Sequence, residues 1–362
     1  MVMNVEIVLF WLFVIFSIHK YYGNAYFRFL PYIVVFLFMA IRYDYGDGSA
    51  YREMFYVFNL SAQEMKSIEY TYSDIEPLYV TLNRLLPSFQ AVVIITSAFY
   101  VTAFCFLISK ILTYEQRALA ILVWVLHPYI LMVDMSTIRQ GIAISIIIVG
   151  VYVANKRKPV WLIPFCLFAT LFHKSAIVCV FACFLFEKRP FSFKTKLVTF
   201  LVPVIFLMFS DKLLALIRLF LSVFNLDTAN YLFYLNNGNK NGIIAVGVSL
   251  IMMLFFMVFG DSVDNQNAVY VKLSIWAVTL EALQGAMQQF GRVSMYFLPF
   301  FVISLPLILK QGSPIRIHLL NRIIIVSQKY LMLVEVCFLF VFIWKFRGFM
   351  TPQYAYTTIL TS

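Results

Sequence analysis

Residues 133–150 read VDMSTIRQGIAISIIIVG. A polar stretch carrying Asp134 gives way to a long apolar run. One arginine, Arg139, stands at the junction with Gln140 beside it. Such a run is either a buried helix of a soluble protein or a membrane span, and the rest of the chain decides which. Hydrophobic residues make up 62% of the 362, charged residues 12%, and mean hydropathy is +0.87. A soluble domain carries about half apolar and about a quarter charged residues. A chain of this size cannot hide so much apolar surface from water. The sequence therefore predicts an all-α polytopic transmembrane helical bundle, one integral membrane domain over 1–362.

Apolar runs at 4–18, 29–41, 91–109, 118–134, 138–154, 159–172, 174–186, 197–210, 242–260, 268–285, 293–310 and 323–344 predict about ten to twelve spans, several short enough to be tilted, paired or re-entrant. The first run lacks a basic leader and a small-residue cleavage site, so it reads as a retained helix rather than a signal peptide. The connections alternate in character. HKYYGNAYFR, KILTYEQR, NKRKP, EKRPFSFKTK and KQGSPIRIHLLNR are short and basic, whereas 42–90 and 211–241 are longer, mixed in charge and rich in Tyr and Asn. The positive-inside rule places the basic set in the cytoplasm, and both termini outside. The net charge of +11 is then mostly an orientation signal, and no nucleic-acid partner is expected. Each outer loop is expected to carry short amphipathic helices. In SAQEMKSIEYTYSDIEPLYVTLNRLLP a short surface helix precedes a half-buried one that carries Glu76, Tyr79 and Asn83 at helical spacing, and one over 211–224 lies on the membrane.

This topology leaves Arg42, Arg84, Arg139, His173, Lys174 and Arg292 on the outer side, where orientation does not call for cations. Arginine presents a planar donor fork suited to phosphate, so anion binding is the natural use. Around them stand candidate partners. In IRYDYGDGSAYREMF, Arg42 precedes Asp44, Asp47 and Tyr51, an arrangement suited to phosphate and sugar hydroxyls; an ordinary polar turn capping a helix is the plainer alternative. In SDIEPLYVTLNRLLP, Glu76 precedes Pro77, as at the first turn of a helix, where a carboxylate can serve the dipole or orient a hydroxyl or an arginine. Arg139 with Gln140 marks a functional pathway or snorkels to headgroups, and Asp134 is a possible ion-pair partner. TLFHKSAIV makes a tight outer turn in which His173 is suited to general-base work and Lys174 is a point charge. In LQGAMQQFGRVSMYFLP, Arg292 follows Gly291. FRGFMTPQYAY near the C-terminus adds Arg347 and reads equally as an aromatic belt.

Cys105, Cys166, Cys179, Cys183 and Cys337 all lie in apolar runs without a CxxC or Cys/His cluster, so neither a metal site nor a cofactor is expected. There is no GxGxxG, P-loop, HExxH or DxD, which argues against nucleotide chemistry.

The succession RYDYGDGSAY, IEPLYVTLNRLL, STIRQGIAIS, LFHKSAIV, GRVSMYFLP, over roughly residues 40–300, resembles the EpsG/Wzy family of polysaccharide polymerases. One segment departs from the family pattern: its Gly-Thr-Asp reads Gly46-Asp47-Gly48 here, which leaves Asp44 and Asp47 both as candidates. The resemblance implies a GT-C-like bundle working at the periplasmic face of a bacterial inner membrane. It also implies a metal-independent glycosyltransferase that moves a growing glycan from undecaprenyl pyrophosphate onto a lipid-linked repeat unit. Its partners would be undecaprenyl-pyrophosphate-linked oligosaccharides, membrane lipids, a chain-length regulator and a flippase. On that basis Arg139 and Arg292, supported by Arg42 and Lys174, would hold the departing pyrophosphate. His173 would act as base, with Asp44, Asp47 and Glu76 as rivals, and Tyr51 and Gln140 would complete the substrate contacts. An O-antigen ligase shares this donor logic. A glycan flippase would need charges at mid-membrane instead.

Overall fold

The structure is a computed structural model that describes residues 5–23, 27–60, 75–210, 212, 215, 242–309, 315–319, 322–346 and 357–358. The expected surface helix at the start of SAQEMKSIEYTYSDIEPLYVTLNRLLP lies outside them, as do the amphipathic piece over 211–224 and FRGFMTPQYAY, isolated residues apart. The chain divides into two compact units, Met1–Cys183 with Met332–Ser362, and Phe184–Leu331.

The first unit is built from α1 (Val5–Gly23), α2 (Leu30–Ala40), β1 (Arg42–Asp44), α3 (Gly48–Phe58), α4 (Pro77–Leu85), α5 (Phe89–Ile111), α6 (Tyr114–Leu126), α7 (Pro128–Ser136), α8 (Ile138–Lys156) and α9 (Leu162–Thr170). A 3-10 helix, Lys174–Leu185, follows α9. The second unit contains α10 (Phe193–Met208), α11 (Ile243–Phe259), α12 (Ala268–Leu283), α13 (Gln289–Ser294), α14 (Pro299–Leu309) and the antiparallel strands β2 (Ile315–Leu319) and β3 (Arg322–Val326). The last helix, α15 (Gln328–Phe346), returns the chain to the first unit, and β4 (Thr357–Thr358) pairs antiparallel with β1. The fold is thus overwhelmingly helical, with two short strand pairs that the apolar pattern does not announce.

Every apolar run predicted from sequence contains helix, but the spans are less regular than expected. Among the described residues, Phe89–Ile111, Ile138–Lys156 and Ile244–Ser262 are long and apolar enough to cross a bilayer. A fourth span arises if α6 and α7, bent by 53°, are counted as one. The bend falls at His127–Pro128, because proline lacks the N–H a continuing helix needs and starts a new one instead. The two runs on either side of His173 are short apolar helices. The run expected from 323 starts as β3 and becomes helical only at Gln328.

In the first unit α1 packs on α2, α2 on α5, α5 on α8 and α8 on α9. Gly150 lets α8 and α9 approach closely: a Cβ there would stand 2.6 Å from Phe165 Cβ. The ends of this unit differ chemically. At one end the N-termini of α5 and α8 share a core with α3 and α4 made of Tyr51, Phe55, Phe58, Tyr79, Phe89, Val92, Val93, Ile138 and Ile142. At the other, the C-termini of α5 and α8 carry Lys110, Lys156, Arg157 and Lys158, and Arg117 donates to the carbonyls of Ser109 and Leu112. The length of α5, 23 residues, separates these ends by about 34 Å. In the second unit Lys196 pairs with Asp261 at 2.5 Å, and buried Lys272 donates to the Glu187 carbonyl at 2.6 Å.

Candidate active site

The loop after α2 docks onto the α7–α8 break. Gly46 has φ +56°, a left-handed conformation that L side chains rarely adopt. Its Cβ position would fall 2.3 Å from Ser136 Oγ. The Asp47 N–H donates to that hydroxyl at 3.3 Å. Glycine is therefore required both by the backbone and by the space. The turn also sets the start of α3, which carries Tyr51 inward. α4 begins at Pro77, as its sequence predicts, and the Glu76 carbonyl accepts from the N–H groups of Tyr79 and Val80. The Glu76 side chain makes no capping hydrogen bond to α4 and turns to other segments instead. α4 is tied to the end of α9 by the Leu78 N–H to the Leu171 carbonyl, 3.1 Å.

These constraints bring three distant segments together on one carboxylate. Arg139 Nη1 donates to Glu76 Oε2 at 2.6 Å. The Lys174 backbone N–H donates to Glu76 Oε1 at 2.9 Å, and His173 Nδ1 lies 3.4 Å from the same oxygen. The Glu76 side chain is 4% exposed, and those of Arg139 and His173 are each 19% exposed, so the ion pair sits largely out of water but within reach of it. Burial opposes ionisation of Glu76. The His173 ring, the Lys174 N–H and the Arg139 charge outweigh it and hold the carboxyl at a pKa of about 2, well below the ordinary 4.5. The guanidinium carbon of Arg139 also stands 5.9 and 6.0 Å from the ring centroids of Tyr51 and Tyr79, which meet edge to face at 6.0 Å. Burial raises the Tyr51 phenol above its ordinary value, and the Arg139 charge offsets part of that. Burial likewise raises Tyr79. Arg139 Nε, Tyr79 Oη and His173 Nδ1 are buried with no hydrogen-bond partner among the described residues, His173 Nδ1 standing 3.4 Å from Glu76 Oε1.

The remaining candidates fall elsewhere. Arg42 is buried, and its Nη1 donates to the Met39 carbonyl at 2.5 Å and to Ser97 Oγ at 3.1 Å, closing the end of α2 against α5. Arg84 Nε donates to the Phe58 carbonyl. Both arginines thus serve backbone carbonyls. Lys174 contributes its N–H to Glu76, while its side chain points to the surface. Gln140 is buried in α8. Asp47 is exposed at the start of α3, and Asp44 Oδ1 is buried without a hydrogen-bond partner among the described residues. Asp134, a possible mate for Arg139 by sequence, is buried in α7; the arginine pairs with Glu76. Arg292 is exposed on α13 in the second unit. Tyr79 and Ser136 were not singled out as functional from the sequence. Tyr79 carried a signal, lying three residues after Glu76 on the same helical face; Ser136 carried none. No group of three or more His, Cys, Asp or Glu side chains that could hold a metal occurs among the described residues.

The match to a family model covers residues 25–357, nearly the whole chain, and includes all of these segments. The chain belongs to the EpsG family. No curated protein and no solved structure matches it. Membership in the EpsG family agrees with a membrane protein of apolar helices and with a polysaccharide-polymerase-like role.

Proposed function

We propose that this protein is a Wzy-type polymerase that transfers a growing glycan from a polyprenyl-pyrophosphate carrier onto a lipid-linked repeat unit at the extracytoplasmic membrane face. The observation that carries this reading is the convergence of Glu76, Arg139 and the His173–Lys174 turn at the end of the first unit opposite the lysine-rich one. By the positive-inside rule the lysine-rich end is cytoplasmic, which puts the convergence outside, where lipid-linked repeats are polymerised in this class of pathway.

The geometry also favours one assignment of roles. A carboxylate held near a pKa of about 2 is a poor proton acceptor at neutral pH, because an efficient general base has a pKa near the working pH. Glu76 is better suited to orienting. Its oxygen faces His173 Nδ1, which favours the tautomer with the proton on Nδ1 and leaves the Nε2 lone pair for an acceptor hydroxyl. That hydroxyl oxygen attacks the anomeric carbon and its proton passes to Nε2. The glycosyl–phosphate C–O bond breaks, and its electron pair leaves with the pyrophosphate. Arg139 is anchored by Glu76 through Nη1, and its remaining donors stabilise the charge that grows on the leaving group.

The test is the purified full-length protein with a lipid-linked repeat unit, followed for polymer and for released polyprenyl pyrophosphate. Wild type is expected to form both. Arg139→Lys, which keeps charge and loses the planar fork, is expected to slow them roughly hundred- to thousand-fold. Translocation of the lipid without bond formation would contradict the proposal.

A further inference from the structure

On the side of the first unit where α2 packs against α5, a groove of about 360 Å3 opens between the helices, lined on α2 by Phe29, Tyr32, Ile33 and Phe36 and on α5 by residues from Val101 to Ser109. Its volume is that of a small-ligand site, roughly 300–1,000 Å3. The walls are apolar and aromatic apart from Thr102, Cys105 and Ser109, and Ser109 spends its hydroxyl on its own helix, donating to the Phe106 carbonyl. From Val101 to Ser109 the helix rises about 12 Å, close to one leaflet of a hydrocarbon core about 30 Å thick. The groove ends in charge: Arg28 immediately precedes Phe29, and Lys110 immediately follows Ser109. Both are exposed, and among the described residues neither has a hydrogen bond or ion pair.

We propose that this groove is a binding site for an anionic phospholipid, one acyl chain lying between α2 and α5 and the headgroup phosphate held by Arg28 and Lys110. An apolar slot one leaflet deep fits an acyl chain. Two exposed cations next to its end residues complement an acidic headgroup and not a zwitterionic one. The site lies at the lysine-rich end, about a helix length from Glu76, so it is independent of the polymerase reading. A polyprenyl carrier gripped by Arg139 would have its phosphates at the opposite end.

The test uses the full-length protein in detergent with phosphatidylglycerol or phosphatidylcholine of identical acyl chains, the bound lipid counted by native mass spectrometry. Wild type is expected to retain phosphatidylglycerol in preference to phosphatidylcholine. The double variant Arg28→Gln, Lys110→Gln is expected to weaken phosphatidylglycerol about twenty-five-fold, from about fivefold per cation, and to leave phosphatidylcholine unchanged. Both substitutions are at exposed positions, and a monodisperse elution profile checks folding. Thr102→Phe, which fills the groove, is expected to reduce retention of phosphatidylglycerol with both cations in place. The proposal is overturned if wild type does not discriminate between the two lipids, if the double variant retains phosphatidylglycerol as wild type does, or if undecaprenyl phosphate displaces phosphatidylglycerol from wild type and the double variant alike.

Discussion

At the residue scale the site rests on one carboxylate with three partners. Removing one member of a buried ion pair costs roughly 3–5 kcal/mol, because the other charge is left unpaired. Arg139→Ala is therefore expected to lower the melting temperature in detergent as well as to abolish polymer, and Arg139→Lys separates the two effects. Acid should expose the Glu76 contribution. Its folded pKa, about 2, lies below the ordinary 4.5, so the native state binds fewer protons than the unfolded chain between those values. The stabilisation is complete above about pH 4.5 and is lost as pH falls toward 2. Thermal melts of wild type should be insensitive to Glu76 between pH 7 and 5 and then show an acid limb that Glu76→Gln flattens; an identical acid limb in the variant would show that Glu76 is not held ionised. Much of this was legible in the residues. An arginine opening an apolar helix, a glutamate before proline and a histidine between two apolar runs were each visible in the chain. Their meeting was not, since 63 residues separate Glu76 from Arg139 and nothing local encodes that closure. The same limit hid the duties of Arg42 and Arg84, which resemble ligand arginines in the sequence and bind carbonyls in the fold.

At the scale of elements the decisive feature is the seat of the 42–48 loop on the α7–α8 break. Gly46→Ala forces a Cβ into the Ser136 hydroxyl and a left-handed backbone onto an L residue, the latter alone costing about 1–2 kcal/mol. A melting temperature lower by several degrees is expected, together with loss of polymer, because α3 carries Tyr51 to Arg139. Gly48→Ala is the weaker control, its neighbour being the end of the Asp44 side chain rather than a packed helix. Equal melting temperatures for Gly46→Ala and wild type would remove the loop from the account. Hydrophobic periodicity located the helices but not their interruptions. Pro128 marks the bend at 127–128 inside what the pattern reads as one run over 118–134, whereas β2 falls in the basic connection KQGSPIRIHLLNR and β3 opens a run whose apolar content suits a buried strand as well as a helix.

At the scale of the molecule, the lysine-rich and carboxylate-bearing ends of the first unit should lie on opposite sides of the membrane. With the native cysteines replaced, an impermeant maleimide applied to intact cells is expected to label a cysteine at Ser88 and to spare one at Lys158. The reverse pattern would put Glu76 in the cytoplasm. This orientation rests on lysine and arginine counts alone, which are informative because charge segregation is a property of whole loops and survives errors in helix boundaries.

In the proposed mechanism Glu76 acts through His173 rather than as a base itself. The most direct measurement is a double-mutant cycle on polymerisation rate with the lipid-linked repeat, comparing wild type, Glu76→Gln, His173→Gln and the double variant. The expected result is strong non-additivity: each single change costs roughly hundredfold or more, and the double variant is little worse than His173→Gln. Additive losses, or a Glu76→Gln protein that polymerises at the wild-type rate, would contradict it.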